Sequence, residues 1–293
     1  TAGGTLGILI PPSIMLVVMG PILNVPVTDL FAAAIMPGLM LAALYTGYTL
    51  IRCHLNPNLG PVVPEDLIPD SMKEVWKEFF KGLLPPVLLV GSSLGSILAG
   101  WATPTEGAAM GAVGSILLTL AYRKLTFESF KSSLLKTLEI TTLIMVLVCA
   151  SNFFGAVFSR LGTPTMITEY LMLLDLPPTA ILLIIMAFIF LLAWPLEWVP
   201  IVLIIIPIVL PLIEQLGFNL TWFGILVAVN LQTAWLSPPV ALSAYFLKGV
   251  VPEWDLADIY KGMMQFMAIQ VVGLALIIIF PQIVLWLPTY LYG

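Results

Sequence analysis

The 293-residue chain is 60% hydrophobic and 9% charged, against roughly 45–50% and 25% in an ordinary soluble domain. So little charge cannot cover a soluble surface of this size, and the chain reads as an integral membrane protein in a lipid bilayer. A net charge of −5 with no basic run argues against nucleic acid as a partner, and two distant cysteines, Cys53 and Cys149, argue against a disulfide scaffold.

The chain opens at Thr1 and enters an apolar run without a charged leader, so it reads as a piece of a longer protein. About 20 apolar residues cross a bilayer core as a helix. Runs of that kind lie at 4–22, 29–51, 83–101, 104–122, 139–160, 220–247 and 262–287. The connections 52–82, 123–136 and 248–261 hold every Lys and Arg except Arg160. Alternating crossings put those three connections on one face, which the positive-inside rule makes cytoplasmic, leaving the C-terminus periplasmic.

Two of these connections carry amphipathic stripes. In 71–82 Met72, Val75, Trp76, Phe79 and Phe80 share a helical face, and Ser71 and Glu74 have capping-box spacing. In 126–138 Phe127, Phe130, Leu134, Leu135 and Leu138 lie opposite Lys131 and Lys136. Such stripes pack on protein or rest among lipid headgroups. His54, in the first connection, has no neighbours at metal-ligand spacing, and Ser133 to Lys136 is a chance S-x-x-K on a surface stripe. No constellation for intramembrane catalysis is visible, so an enzyme is not expected.

Prolines interrupt the apolar runs in a telling way. The first run contains Gly7-Ile8-Leu9-Ile10-Pro11-Pro12-Ser13, and the sixth contains Ala234-Trp235-Leu236-Ser237-Pro238-Pro239-Val240. Paired prolines remove two backbone donors and clash with carbonyls four residues back. The carbonyls of Gly7, Ile8, Ala234 and Trp235 must then find other partners, either from neighbouring helices and Ser13 or Ser237, or from a transported ligand. Thr103-Pro104-Thr105-Glu106 reads as a turn and a helix start, with Thr103 or Thr105 as cap and Glu106 favourable in the first turn. Residues 179–213 are apolar on either side of Trp194-Pro195-Leu196-Glu197-Trp198. Two arms of about 15 residues are short for full crossings. They fit a re-entrant hairpin with Glu197 at its tip, where a carboxylate is costly enough to suggest function. Two full crossings with Glu197 at an inner turn are the alternative.

Read together, these strings resemble the large membrane subunit (DctM-like) of TRAP (tripartite ATP-independent periplasmic) transporters. The stretch from Gly4 to Ser13 is similar to the family's GxLGxxIPPS, Thr103 to Glu106 to its TPTEA, and Ser237-Pro238-Pro239 to its TPPxG. Phe223-Gly224 through Asn230-Leu231-Gln232-Thr233 also resembles the family, particularly a branch labelled for mannitol and chloroaromatic compounds.

The resemblance implies an all-α polytopic membrane protein of ion-transporter type. It would have two inverted repeats with broken helices and a re-entrant hairpin, working as an elevator. Residues 1–51 would end the first repeat, 52–82 would connect on the cytoplasmic side, and 83–293 would form the second. That second repeat would hold the hairpin at 179–213, a broken helix at 220–247 and a final crossing at 262–287. The resemblance further implies a first sodium site using Gly7, Ile10 and Pro12, and a second using Trp194, Glu197, Ser237, Pro238 and Ala241. Ser13, Asn230 and Thr233 would face substrate. The chain departs from the family where Glu197 replaces a common Asp, Ser237 a Thr and Ala241 a Gly.

No cofactor is implied beyond sodium as coupling ion. The implied partners are a periplasmic substrate-binding protein, a small four-helix membrane subunit and an organic acid substrate, at the bacterial inner membrane. A carboxylate symporter or cation antiporter without a binding protein, and a structural subunit without transport, are the alternatives.

Overall fold

The computed structural model describes residues 1–60, 71–238 and 241–293, leaving aside the side chain of Leu242. Pro239, the second proline of the later pair, and the 61–70 part of the cytoplasmic connection lie outside the described residues. The described residues are all-helical, without strands. Five of their helices are long and apolar enough to cross a membrane, or six if the first bent pair is one span. This is a polytopic α-helical membrane protein. Its chain groups into two compact units, 1–45 with 141–293, and 46–140.

The larger unit begins with a helix broken where its prolines require. Helix α1 (Ala2–Leu9) ends and α2 (Ile14–Leu23) starts beyond Ile10–Ser13, with a 42° bend between them. Helix α3 (Val27–Leu55) follows, and its last turn includes His54, which is therefore helical rather than in a loop. Helix α7 (Phe127–Arg160) contributes its later residues, and α8 (Thr163–Met172) lies between the apolar runs 139–160 and 179–213.

Helix α9 (Pro178–Ala193) is the first arm of the interrupted run. After Trp194–Glu197 the second arm runs through α10 (Trp198–Pro200), a π turn at Ile201–Ile205 and α11 (Ile206–Gln215). The π turn precedes Pro207, which has no N–H for the carbonyl four residues back and forces the ladder open. Helix α9 touches the π turn, so the chain bends at the interruption. The second arm is longer than expected. Its 18 residues from Trp198 to Gln215 suffice for a crossing, whereas α9 has 16.

At the centre stands α12 (Leu220–Leu231), buried from Trp222 to Leu231. A helix apolar all round belongs in an interior. Asn219 caps it through the Trp222 N–H, and the Trp222 indole donates to the Ile277 carbonyl at 3.1 Å. Gly224 is required by close approach, since a Cβ there would lie 2.7 Å from Leu23 Cδ1. A 3-10 turn (Gln232–Trp235) continues α12, and α13 (Leu242–Val250) resumes the chain after the second break.

Helix α14 (Leu256–Ile279) and α15 (Gln282–Tyr292) complete the unit. The expected single crossing at 262–287 is thus two helices. Phe280 precedes Pro281 and leaves the helical region at φ −121°, ψ 74°, as residues before proline do.

In the smaller unit α4 (Met72–Gly82) passes into α5 (Leu84–Leu98) through Leu83 alone, forming a 27-residue run from Met72 to Leu98. Pro85 and Pro86 fall in the first turn of α5, where a missing N–H costs nothing. Ser71 caps α4 through the Lys73 N–H, not through a box with Glu74. The second stripe likewise merges with its crossing. Residues 127–138 of that stripe and 139–160 form the single 34-residue α7, with no Gly or Pro at the join.

Helix α6 (Pro104–Ala121) starts with a full capping box. Thr103 accepts from the Glu106 N–H, and Glu106 accepts from the Thr103 N–H at 2.8 Å. Its 18 residues reach crossing length, but its polar first turn and glycines keep it out of the apolar set. Those glycines seat α5. A Cβ at Gly107 would lie 2.6 Å from Ile97 side-chain atoms, and one at Gly114 2.3 Å from Leu89 Cδ1. The Ser93 hydroxyl bonds the Gly107 carbonyl at 2.6 Å. Small residues at helical spacing permit such contact between membrane helices.

Candidate functional site: two broken helices in contact

The first break is held by one hydroxyl. Ser13 donates to the Ile8 carbonyl, freed by the prolines, and accepts from the Leu16 N–H, so it joins the end of α1 to the start of α2. The peptide between Pro11 and Pro12 is cis. Ile10 packs on α3, where Gly38 leaves it room, since a Cβ there would meet Ile10 Cγ1 at 2.6 Å. Gly7 and Pro12 are exposed, and Gly3, Gly4 and Gly7 have open space where a Cβ would stand. Of the first expected sodium set, Ile10 is packed on α3, and Gly7 and Pro12 are exposed.

The second break shares this logic with a different serine. Ser243, not Ser237, donates to the Trp235 carbonyl. The Ser237 N–H bonds the Thr233 carbonyl at 2.9 Å, and the buried Ala241 at the start of α13 bonds the Ser237 carbonyl at 3.0 Å. Pro238 is half-buried. The Ser237 hydroxyl is 0% exposed and has no partner among the described residues. A buried polar group left alone costs roughly 1–3 kcal/mol.

The two breaks are brought together. Helix α1 touches the 3-10 turn Gln232–Trp235, and α9 touches the same turn. Asn230, 0% exposed, donates to the Met186 carbonyl on α9 at 2.8 Å, while its Oδ1 is unpartnered. Thr233 closes on its own helix, donating to the Asn230 carbonyl at 2.6 Å. At the interruption between α9 and α10, Trp194 stacks edge-on against Phe190 at 5.7 Å, and its buried Nε1 has no partner among the described residues. Glu197 is exposed, and its side chain makes no capping bond to α10.

Discontinuous helices meeting around buried, unsatisfied polar atoms are the architecture of a transport site. The family model of the tripartite ATP-independent periplasmic transporter DctM component matches residues 1–283. The chain belongs to this family. Among DctM-like relatives, it is 28% identical over 291 residues to the sialic acid TRAP transporter large permease SiaM of Vibrio cholerae, covering 98% of this chain and 66% of that protein. The C4-dicarboxylate TRAP transporter large permease DctM of Pseudomonas aeruginosa is 30% identical over 291 residues, covering 98% and 66%. The 2,3-diketo-L-gulonate TRAP transporter large permease YiaN of Escherichia coli is 25% identical over 289 residues, covering 97% and 65%. The chain thus spans just under two-thirds of the length of these relatives. They are named as transporter permeases, not enzymes.

Within this DctM-family chain, three polar residues had no role in the sequence reading. Gln232 sits in the 3-10 turn, Gln270 on α14 and Tyr45 on α3, all buried. The Gln270 amide donates to Gln232 Oε1 at 2.7 Å and to the Val229 carbonyl at 2.8 Å, and accepts from the Tyr45 hydroxyl at 3.3 Å. A carboxamide within the apolar run 262–287 was the available signal. Its target lies 38 residues away in sequence, and no local pattern connects the two.

Proposed function

We propose that this chain is a segment of the large permease of a sodium-coupled TRAP transporter at the bacterial inner membrane. The complex imports a small organic acid delivered by a periplasmic substrate-binding protein, with a small TRAP membrane subunit as its other partner. Residues 1–51 and 83–293 belong to inverted repeats, and the C-terminus is periplasmic. The reading is carried by the meeting of two proline-broken helices around buried, unpartnered Asn230 Oδ1 and Ser237 Oγ.

The chemistry of these atoms suits the task. Sodium takes oxygen ligands, and broken helices offer carbonyls and hydroxyls within a membrane interior. Ser237, Pro238 and Ala241, with Trp194 and Glu197, form the second sodium site in this proposal. Gly7, Ile10 and Pro12 form part of the first, their open side facing the upstream part of the permease. Ser13, Asn230 and Thr233 face substrate. The unpartnered N–H groups of Trp194 and Gln232 suit a carboxylate, and the named relatives transport acids of that kind, sialic acid and C4-dicarboxylates. Each sodium ion entering down 100 mV supplies about 2.3 kcal/mol, a factor of roughly 50 in accumulation.

The test is uptake by the full-length permease that carries this segment, reconstituted with its small subunit and binding protein. Uptake is expected under an inward sodium gradient and absent with potassium or a proton gradient alone. Sodium-independent uptake would end the coupling proposal. Uptake without the binding protein would favour a stand-alone symporter.

A further inference from the structure

Helix α12 closes with the Gln232 N–H on the Ala228 carbonyl, after which the backbone tightens into the 3-10 turn. In a 3-10 turn donors reach three residues back rather than four. At this junction the Asn230 carbonyl accepts a backbone N–H, and side-chain donors reach the carbonyls as well. Two side chains make these contacts. Gln270 reaches the Val229 carbonyl from α14 at 2.8 Å, and Thr233 reaches the Asn230 carbonyl at 2.6 Å.

The second N–H of the same Gln270 amide holds the Gln232 side chain at 2.7 Å, so one group grips backbone before the junction and side chain within it. Tyr45 fixes the acceptor end of that amide, and its ring packs edge-on against Phe266, one turn before Gln270, at 5.5 Å. Gln270 is 0% exposed and Gln232 1%, so water does not compete for these bonds.

We infer that Gln270 is a positioning residue. It sets the 3-10 geometry of Gln232–Trp235, and through it the placement of Asn230, Thr233 and Ser237 at the second break. Buried hydrogen bonds between side chain and backbone hold a local geometry strongly, because water does not replace them when they break. Without the amide donors the Val229 carbonyl and the Gln232 side chain both lose their tie to α14, and the turn is free to relax toward a continued α-helix, moving Ser237 away from the site.

The consequence for ion affinity rests on the sodium-coupled reading; the consequence for the backbone does not. The experiment therefore has two readouts on the full-length permease with its partner subunits, comparing Gln270→Leu, Gln270→Glu and Tyr45→Phe with the unaltered protein. Hydrogen–deuterium exchange of the purified complex should rise at least about tenfold over residues 231–238 in Gln270→Leu, with α9 unchanged. Tyr45→Phe keeps the ring and should show a smaller rise of the same pattern.

In reconstituted uptake, the sodium concentration for half-maximal rate should increase about tenfold in Gln270→Leu, with the maximal rate falling less than threefold. Gln270→Glu, which keeps the size and loses the amide donors, should resemble Leu. Unchanged exchange over 231–238 would overturn the inference. Raised exchange with unchanged half-saturation for both sodium and substrate would overturn it too, making Gln270 merely a packing residue. If the unaltered complex proves sodium-independent, the coupling proposal falls, and a raised substrate KM alongside the exchange result upholds Gln270 as the positioning residue. Poor folding of Gln270→Leu transfers both readouts to Tyr45→Phe, where no change in either overturns the inference.

Discussion

Ser237 shows how a single hydroxyl separates stability from function. Ser237 is fully buried at the second break, and its hydroxyl bonds nothing among the described residues. Removing an unsatisfied buried polar group relieves a desolvation cost. Ser237→Ala should therefore leave thermal stability unchanged or raise it by about 1 kcal/mol. If the hydroxyl is a sodium ligand, the same variant should raise half-saturating sodium about tenfold, equivalent to about 1.4 kcal/mol. Thermal unfolding in detergent and sodium titration of uptake measure the two effects, and loss of both stability and affinity would point to a structural hydroxyl instead. Glu197 calls for a charge test. Its side chain is exposed on the described chain, so its contribution to an ion site would be mainly electrostatic. Glu197→Gln should raise half-saturating sodium by up to about tenfold, with Glu197→Asp milder. Unaltered sodium dependence in Gln would assign Glu197 to the scaffold.

At the scale of elements, the breaks are organised by packing as well as by proline. Paired prolines end α1, but where Ile10 goes is decided by the notch at Gly38 on α3. Gly38→Ala would drive a Cβ to within 2.6 Å of Ile10 Cγ1. That atom lies near the branch point of a stiff side chain, so relief requires movement of the break itself. We expect a loss of about 1–3 kcal/mol, the usual cost of overpacking. Adding Ile10→Ala to Gly38→Ala should recover part of it, and a double-mutant cycle on thermal unfolding reads the coupling. Additive losses would mean that Gly38 and Ile10 do not share the contact.

For the whole molecule, the proposed orientation, which rests on the charge map, puts the connections 52–82 and 123–136 in the cytoplasm and the C-terminus in the periplasm. In cells carrying the full-length permease, a cysteine replacing Lys131 should be blocked only by reagents that reach the cytoplasm. A cysteine replacing Gly293 should react with impermeant reagents added outside. Labelling of the Lys131→Cys variant from the periplasm would invert the map.

Composition alone required a membrane protein, because 9% charge cannot solvate a surface in water. Local chemistry also placed both helix breaks, since proline removes a donor wherever it stands, and Thr103 with Glu106 formed the cap their spacing implies. Other features depended on partners distant in the chain. That Ser243 rather than Ser237 satisfies Trp235, and that Gln270 and Tyr45 secure the 3-10 turn, follow from which helices touch. The split at Phe280 and the fusion of two stripes with their crossings were misjudged by hydropathy, which averages over windows and is blind to single-residue hinges. Sequence determined where the backbone had to lose its own hydrogen bonds. Only the tertiary structure decided which groups replaced them, because a freed carbonyl accepts from whichever donor the packing brings within reach.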